Sequence, residues 1–150
     1  MNCLSIRQPW AGMITHGLIV KREDRRVRIY KDVESRTWFT RYRGPLLIHA
    51  SQTVDREAHE KYRKYIDFPL TRGALIGKVT LKDVTKKRSS KWHERGLFGW
   101  YLEHPVAFPR AAKWRGQLKL FDVNVRAVID DDLEFMWDIA TLAERKPPGS

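Results

Sequence analysis

Three ionisable residues that lie close together in the sequence could bind a phosphate group or a nucleobase. Lys31, Glu34 and Arg36 fall within a segment of six residues. In a cleft, the two cations could hold a phosphate or a base carbonyl, and the carboxylate could accept a hydrogen bond from a base amino group or a ribose hydroxyl. The same side chains could instead form a structural salt-bridge cluster. Their spacing alone does not decide between the two interpretations.

Aromatic and basic residues alternate in the segment that follows. Residues 34–43 (ESRTWFTRYR) interleave three arginines with three aromatic residues, among them Trp38. Trp92 and Trp114 also stand between basic residues or histidine, in the tripeptides KWH and KWR. Basic groups follow phosphates, and aromatic rings stack on unpaired bases at about 1–3 kcal/mol per base. The pattern is typical of single-stranded nucleic-acid binding, or of a half-buried strand whose aromatic residues fill the core.

Other common site chemistries find little support in the sequence. None of the five histidines is paired with a His or Cys at metal-ligand spacing, so we expect no metal site. His49 lies in the apolar run of residues 46–50 and is more typical of a hydrogen-bonded core residue than of a catalyst. The glycine-rich phosphate-binding motifs do not occur, and no cofactor is predicted. The aspartates of residues 130–132 are best explained as a helix N-cap.

Charge is the most informative property of the composition. The chain has 150 residues, 42% of them hydrophobic, and a formal net charge of +11. Such an excess attracts polyanions, although a generically basic protein would share it. No apolar run approaches the ~20 residues needed to span a bilayer, and no secretory signal is evident. Because Cys3 is the single cysteine, we expect a reducing compartment, and hence a cytoplasmic protein without membrane contact.

Many short strands and two early helices would have to position these residues. Helices are predicted over residues 8–16 and 54–66, and a terminal helix over 132–143 before a frayed tail. Strands or extended segments are predicted over residues 3–6, 30–38, 46–50, 73–84, 98–102 and 117–125. Two basic segments, residues 18–30 and 86–95, carry net charges of +3 and +4. This pattern predicts an α+β fold built on a small mixed β-barrel flanked by two or three helices.

Three motifs together resemble the ASCH domain family, a relative of the PUA domains. They are LSIRQPW at residues 4–10, KDVESRTW at residues 31–38 and YRGPLLIHAS at residues 42–51. The resemblance continues through later strands and covers residues 3–125. It implies a PUA-like β-barrel with a cleft, spanning residues 1–128 with a basic insertion at about 18–30, followed by a C-terminal helix and tail over 129–150.

The resemblance also implies a function and a set of ligand-binding residues. Family members are thought to bind RNA or nucleotide-like ligands, with suggested roles in translation or transcription coactivation. Carried onto this chain, the residues of the cleft are Lys31, Glu34, Arg36, Arg43, His49 and Ser51, with Gln8 and Trp10 near the same opening. The pairing of aromatic and basic residues adds Trp38 and Trp92 to the expected binding set.

The chain departs from the family pattern at two places. The basic insertion raises Lys21 as a competitor for the motif lysine, but Lys31 keeps the spacing to Arg36 and is preferred. A branch of the family that deacylates modified cytidine resembles K-x-x-T-x-R, with a threonine nucleophile. This chain has Glu34 at that position, and a carboxylate cannot replace a hydroxyl nucleophile in the same mechanism. The amidohydrolase interpretation is therefore disfavoured.

Three functional hypotheses follow. The first is a non-catalytic module that binds RNA, other single-stranded nucleic acid or a nucleotide-like small molecule. The second is a ribonuclease, in which Glu34 or His49 takes a proton while Lys31 and Arg36 stabilise charge on the phosphate. The third is an interaction protein whose basic surface docks on an acidic partner.

Overall fold

A six-stranded mixed sheet forms the body of the fold in the computed structural model, which describes residues 1–125. The elements in chain order are β1 (Asn2–Gln8), α1 (Trp10–Thr15), β2 (Leu18–Arg22), β3 (Arg25–Ile29), β4 (Val33–Arg36), β5 (Gly44–Val54), α2 (Arg56–Tyr62), a 3-10 turn (Arg63–Tyr65), β6 (Ala74–Thr85), β7 (Phe98–Lys113) and β8 (Leu120–Asp122). The helix and tail expected over 129–150 lie outside the described residues.

The strand order of the sheet is β4–β7–β6–β5–β1–β8. β1 runs parallel to β5, and the other neighbouring pairs are antiparallel. The sheet dominates and the helices are few, which confirms the α+β class. Among residues 1–125 the hydrogen-bonded ladder does not close, and β4 and β8 are its edges.

The core lies on the central strands, as their sequences require. Residues 46–50 of β5 and 74–79 of β6 are buried throughout, because strands covered on both faces need apolar side chains at consecutive positions. Trp100 of β7 is fully buried against this cluster. Cys3 lies buried in β1.

The two helices begin at residues that fix their position relative to the sheet. The side chain of Gln8 is buried, donates to the carbonyl of Thr71 over 2.9 Å and accepts from the backbone N–H of Gly12 over 2.9 Å. Asp55 is the N-cap of α2 and accepts from the N–H of Ala58 over 3.0 Å. The bonds from Gly12 and Ala58 pair backbone N–H groups in the first turn of each helix, where no partner is available within the helix. Each helix therefore starts at a defined point.

The basic insertion of residues 18–30 is a β-hairpin, in which β2 pairs antiparallel with β3 as a separate two-stranded sheet. The turn contains Glu23, whose φ of 56° is in the left-handed region. Arg28 holds the hairpin to the body through an ion pair of 2.8 Å with Asp67 and a bond of 2.7 Å to the carbonyl of His16.

β7 is much longer than the segment of residues 98–102 predicted from the sequence. Its second half contains Pro105 and Pro109, which lack the N–H that a regular ladder requires. Both prolines fall where the register between β6 and β7 shifts, so the strand continues past them to Lys113.

Candidate nucleic-acid interface

A cleft of about 820 Å³ opens where β4, β1, the first residue of α1 and both ends of α2 face residues 86–97, the segment that joins β6 to β7. We call residues 86–97 the basic loop. Six of the ten residues predicted to bind a ligand line this cleft: Trp10, Lys31, Glu34, Arg36, Ser51 and Trp92. Six cationic and three carboxylate side chains are among the lining residues.

Lys31, Glu34 and Arg36 form one connected cluster. Lys31 Nζ donates to Glu34 Oε1 over 3.1 Å and also donates to the carbonyl of Val33. Arg36 Nη2 donates to Glu34 Oε2 over 3.3 Å and to the carbonyl of Ser5 over 3.0 Å. The side chains of the lysine, the glutamate and the arginine are 6%, 12% and 26% exposed. The carboxylate therefore holds both cations in place at the cleft, and the arginine is the most accessible member.

Lys31 reaches Glu34 because it lies outside β4. Its backbone N–H donates to the carbonyl of Met13 over 3.0 Å, and the strand begins only at Val33. The alternation of side chains between the two faces of a strand does not apply to a residue that precedes the strand. The lysine is therefore free to share a face with the glutamate.

The cluster determines the ionisation of Glu34. Burial acts to raise the pKa of its carboxyl, but the charges of Lys31 and Arg36 and their hydrogen bonds outweigh burial and hold the pKa below its usual range. The carboxylate is therefore ionised, and the cluster has a formal charge of +1. Within residues 1–125, Arg36 Nε is a buried donor with no hydrogen-bond partner. An unpaired buried donor costs about 1–3 kcal/mol, so this guanidinium can still gain from an added acceptor.

Three aromatic rings, Trp10, Tyr62 and Trp92, form one wall of the cleft, and we call them the aromatic wall. The ring centroids of Trp10 and Tyr62 are 5.8 Å apart, and those of Tyr62 and Trp92 are also 5.8 Å apart. Cations lie close to both indoles: Lys31 Nζ is 5.6 Å from the centroid of Trp10, and Lys91 Nζ is 5.1 Å from that of Trp92. The cleft thus combines stacking surfaces with positive charge.

Asp55 holds Trp10 in position. The indole Nε1 donates to Asp55 Oδ2 over 3.0 Å, and Arg7 Nη2 is 3.7 Å from the same oxygen. The N–H of Ala58 and the indole hydrogen bond lower the pKa of the Asp55 carboxyl. Since the residue that caps α2 also orients the indole, the helix and the aromatic wall are fixed together.

Two serines hold the basic loop against β4. Ser35 Oγ accepts from the N–H of Glu94 over 2.9 Å and donates to the carbonyl of Trp92 over 3.3 Å. Ser90 Oγ donates to Asp32 Oδ1 over 2.7 Å. These contacts place Trp92 on the cleft.

A buried histidine organises the interior of the basic loop. His93 Nε2 donates to the carbonyl of Leu97 over 2.7 Å, and Nδ1 is 2.8 Å from the hydroxyl of Tyr101, which also accepts from the N–H of Ser89 over 2.9 Å. A Cβ at Gly99 would lie 2.6 Å from His93 Nδ1, so only glycine fits beneath the ring. The loop is therefore well anchored, while its exposed side chains contribute charge to the cleft: Arg88, Lys91 and Arg95.

The structure places three of the predicted residues away from the cleft. Gln8 is buried at the start of α1. The ring of Trp38 packs edge-on against Trp100 at 4.7 Å. Arg43 pairs with Asp83 at 3.5 Å and donates to nearby backbone carbonyls. Their hydrogen bonds and packing account for these residue types without a ligand.

His49 lines a second cleft of about 410 Å³, which meets the first at Ser5 and Ser51. His49 Nε2 donates to the carbonyl of Trp114 over 2.7 Å, and Nδ1 is 2.8 Å from Ser5 Oγ. Burial lowers the pKa of the imidazole, so His49 is neutral at pH 7. Because Nε2 faces a carbonyl and carries the proton, Nδ1 accepts from the serine hydroxyl.

Sequence reasoning identified the charge of the basic loop but not its place in the site, and it did not select Ser5 or Tyr62. The tripeptide KWH was the signal that pointed to the loop. In the part of the chain that the structure describes, no group of three His, Cys, Asp or Glu side chains is arranged to hold a metal ion. No helix among residues 1–125 is long and apolar enough to cross a membrane.

The sheet, the charged cluster and the aromatic wall define a small α+β domain with a cationic, aromatic-lined cleft. The ASCH domain family matches residues 4–130, and the chain belongs to this family. The ASCH domain is a PUA-like fold associated with RNA binding.

Two curated relatives share the matched region. The chain is 34% identical to Activating signal cointegrator 1 of Homo sapiens over 101 residues, and this alignment covers 59% of this chain and 15% of that protein. It is 34% identical to Activating signal cointegrator 1 of Mus musculus over 98 residues, and that alignment covers 57% of this chain and 15% of that protein. The match thus spans only a small part of the length of these relatives.

Proposed function

We propose that this chain binds single-stranded RNA or a nucleotide-like ligand in the larger cleft, with phosphate on the cations and a base on the aromatic wall. The observation that carries the proposal is the position of Trp10: its ring lies beside both the ring of Tyr62, with centroids 5.8 Å apart, and the ammonium of Lys31, which is 5.6 Å from the indole centroid. A nucleotide presents a flat aromatic base next to an anion, and this arrangement offers a matching surface for each part.

The charge of the cleft supports an anionic ligand. Lining cations outnumber lining carboxylates by six to three. Arg36 has a forked guanidinium suited to phosphate oxygens, and its side chain lines the cleft and is 26% exposed. A phosphate in the cleft could therefore contact this side chain.

Specific recognition of a base would come from the groups beside the aromatic wall. The ionised carboxylate of Glu34 can accept hydrogen bonds from a base amino group or a ribose hydroxyl. Ser51 lines the same cleft, and its half-buried hydroxyl can donate or accept. We infer that the sheet curls around this site in a barrel-like form, since Arg36 links β4 to β1 across the cleft.

The hydrogen bonds and the ionisation of Glu34 favour RNA binding over RNA cleavage. Both carboxylate oxygens of Glu34 accept from cations, and the lowered pKa makes the group a weak base. His49, the other predicted base, is engaged by Ser5 and Trp114. The name Activating signal cointegrator 1 supports a regulatory role, which the domain would serve by binding nucleic acid.

The test compares two double variants that remove the same charge. Lys91→Ala/Arg95→Ala removes exposed cations from the cleft, and Lys21→Ala/Arg26→Ala removes an exposed cross-strand pair from the hairpin. Affinity for a labelled single-stranded RNA is measured by fluorescence anisotropy across a salt series. We expect the cleft variant to lose about ten-fold or more in affinity, and its salt slope to fall by about one and a half. Equal losses in both variants would reduce the interaction to general charge attraction and overturn the proposal.

A further inference from the structure

We infer that the second cleft, which holds His49, receives the next nucleotide of a bound RNA strand. The ligand is then an oligonucleotide rather than a free nucleotide, and this inference rests on the proposed function. The two clefts are contiguous, because Ser5 and Ser51 line both. A strand held in the larger cleft by phosphate and base can pass over these serines into the smaller one.

Ser5 joins the two clefts physically. Its carbonyl accepts from Arg36 over 3.0 Å on the side of the larger cleft, and its hydroxyl lies 2.8 Å from His49 Nδ1 on the side of the smaller one. One residue of β1 thus fixes the position of a side chain in each cleft. The distance between the two binding surfaces is therefore set by the sheet and not by a loop.

The floor of the second cleft is tightly packed. A Cβ at Gly116 would lie 2.7 Å from His49 Cε1 and 3.0 Å from Ser5 Oγ, so the backbone at this glycine packs directly against the pair. Both backbone polar groups of Trp114 are hydrogen-bonded. Its N–H donates to the carbonyl of Gly73 over 3.0 Å, and its carbonyl accepts from His49 Nε2. The surface that would meet a ligand is therefore formed before binding.

The chemistry of the second cleft suits a nucleotide. Its lining residues in the described chain include no carboxylate, and Arg115 supplies an exposed cation. Gln52 and Gln117 present amides that can both donate to and accept from a base edge. Leu118 is 93% exposed at the rim, where a base could cover its side chain. The cation suits a phosphodiester, and the amides and the apolar side chain suit the base that follows it. No carboxylate among the described lining residues would repel the phosphate.

The test separates this inference from the proposed function by the length of the RNA. Affinities of a mononucleotide and of an octanucleotide of the same base are measured for the wild type and for Arg115→Ala/Leu118→Ala. The control is Arg41→Ala/Phe39→Ala, which also removes one exposed cation and one exposed apolar side chain, but from outside both clefts.

We expect the wild type and the control to bind the octanucleotide about ten-fold or more tightly than the mononucleotide. Arg115→Ala/Leu118→Ala should bind the mononucleotide normally and lose most of this gain. If the variant keeps the gain, or if the wild type shows none, the second cleft is not a nucleotide site, while the larger cleft remains one. If neither ligand binds to the wild type, the proposed function fails, and the inference fails with it.

Discussion

Arg36 donates a hydrogen bond from Nη2 to the backbone carbonyl of Ser5 over 3.0 Å. The bond joins β4 to β1, two strands that are not neighbours in the sheet. The same nitrogen donates to Glu34 Oε2 over 3.3 Å, so one guanidinium connects the charged cluster to the opposite side of the cleft.

Replacing this guanidinium with an amine should destabilise the domain. Arg36→Lys keeps the charge, but the side chain is one bond shorter and its ammonium cannot occupy the position of Nη2, which donates to both acceptors. We expect a loss of about 1–3 kcal/mol in the free energy of unfolding. Urea denaturation followed by circular dichroism measures it. Arg63→Lys is the control, because that side chain is 65% exposed and its ion pair of 3.7 Å contributes little. Equal midpoints for both variants would show that the bond to Ser5 is not stabilising.

Glu34 should make stability depend on acidic pH. Its pKa is lowered in the folded state, so the unfolded chain binds its proton first, and the stabilisation is lost as pH falls below the ordinary value of about 4.3. We expect Glu34→Gln to cost up to about 3–5 kcal/mol at pH 7, because it leaves two cations without their carboxylate. The cost should shrink as the pH is lowered from 5 toward 3. A difference between the two proteins that stays constant over this range would contradict the assignment.

His49 should be a neutral imidazole with its proton on Nε2. Nitrogen-15 NMR of the imidazole distinguishes the two tautomers, and titration by the same method gives the pKa. Because burial lowers that pKa, protonation should begin only below the ordinary value of about 6.5, and its contribution to stability is present above that value and lost as pH falls. A proton on Nδ1 at pH 7 would contradict the hydrogen bond from Ser5.

Gly99 should be required for the shape of the basic loop. A methyl group there would lie 2.6 Å from His93 Nδ1, and the ring cannot move easily because both of its nitrogens are bonded. We expect Gly99→Ala to destabilise the domain by about 1–3 kcal/mol and to weaken RNA binding. In the control, Gly96→Asn, the side chain enters open space at a φ of +82°, which asparagine tolerates. Normal stability of Gly99→Ala would show that the loop adapts.

Trp92 should provide stacking energy for a base. Trp92→Ala removes a ring from the aromatic wall. We expect the free energy of binding to single-stranded RNA to become less favourable by about 1–3 kcal/mol. Phe39→Ala removes an aromatic ring that is 48% exposed, from a residue outside the cleft, and should leave affinity unchanged. The two variants are compared by anisotropy with the same RNA. If they lose the same affinity, the aromatic wall does not stack on a base.

Local patterns predicted those parts of the fold and site that depend on neighbours in sequence. The buried strands around residues 46–50 and 74–79 followed from apolar runs bounded by glycine or proline. Lys31, Glu34 and Arg36 form the salt-bridge cluster that their short spacing allowed, and they line one cleft, as the family resemblance implied. The second half of β7 was missed because its prolines disfavour a strand and are accommodated only by register shifts with β6.

Parts of the site that depend on distant contacts could not be predicted in the same way. The basic loop reaches the cleft because Ser35 binds Trp92 and Glu94, residues about sixty positions away. Gln8 was expected near the opening, but its amide is used by two backbone groups in the interior. Which backbone groups bond to the Gln8 amide depends on the three-dimensional fold, and local sequence patterns do not reveal those partners.

The bond between Arg36 and Ser5 makes the cleft a seam between two parts of the sheet. Among the described residues, no backbone ladder pairs β4 with β1, and the Arg36 side chain links the two strands across the cleft. A ligand that contacts both strands would link them further and raise the melting temperature, by an amount that grows with the logarithm of its concentration above Kd. Thermal stability can therefore be used to detect binding: a thermal-shift screen of nucleotides and oligonucleotides would identify the chemical class of ligand that the cleft binds.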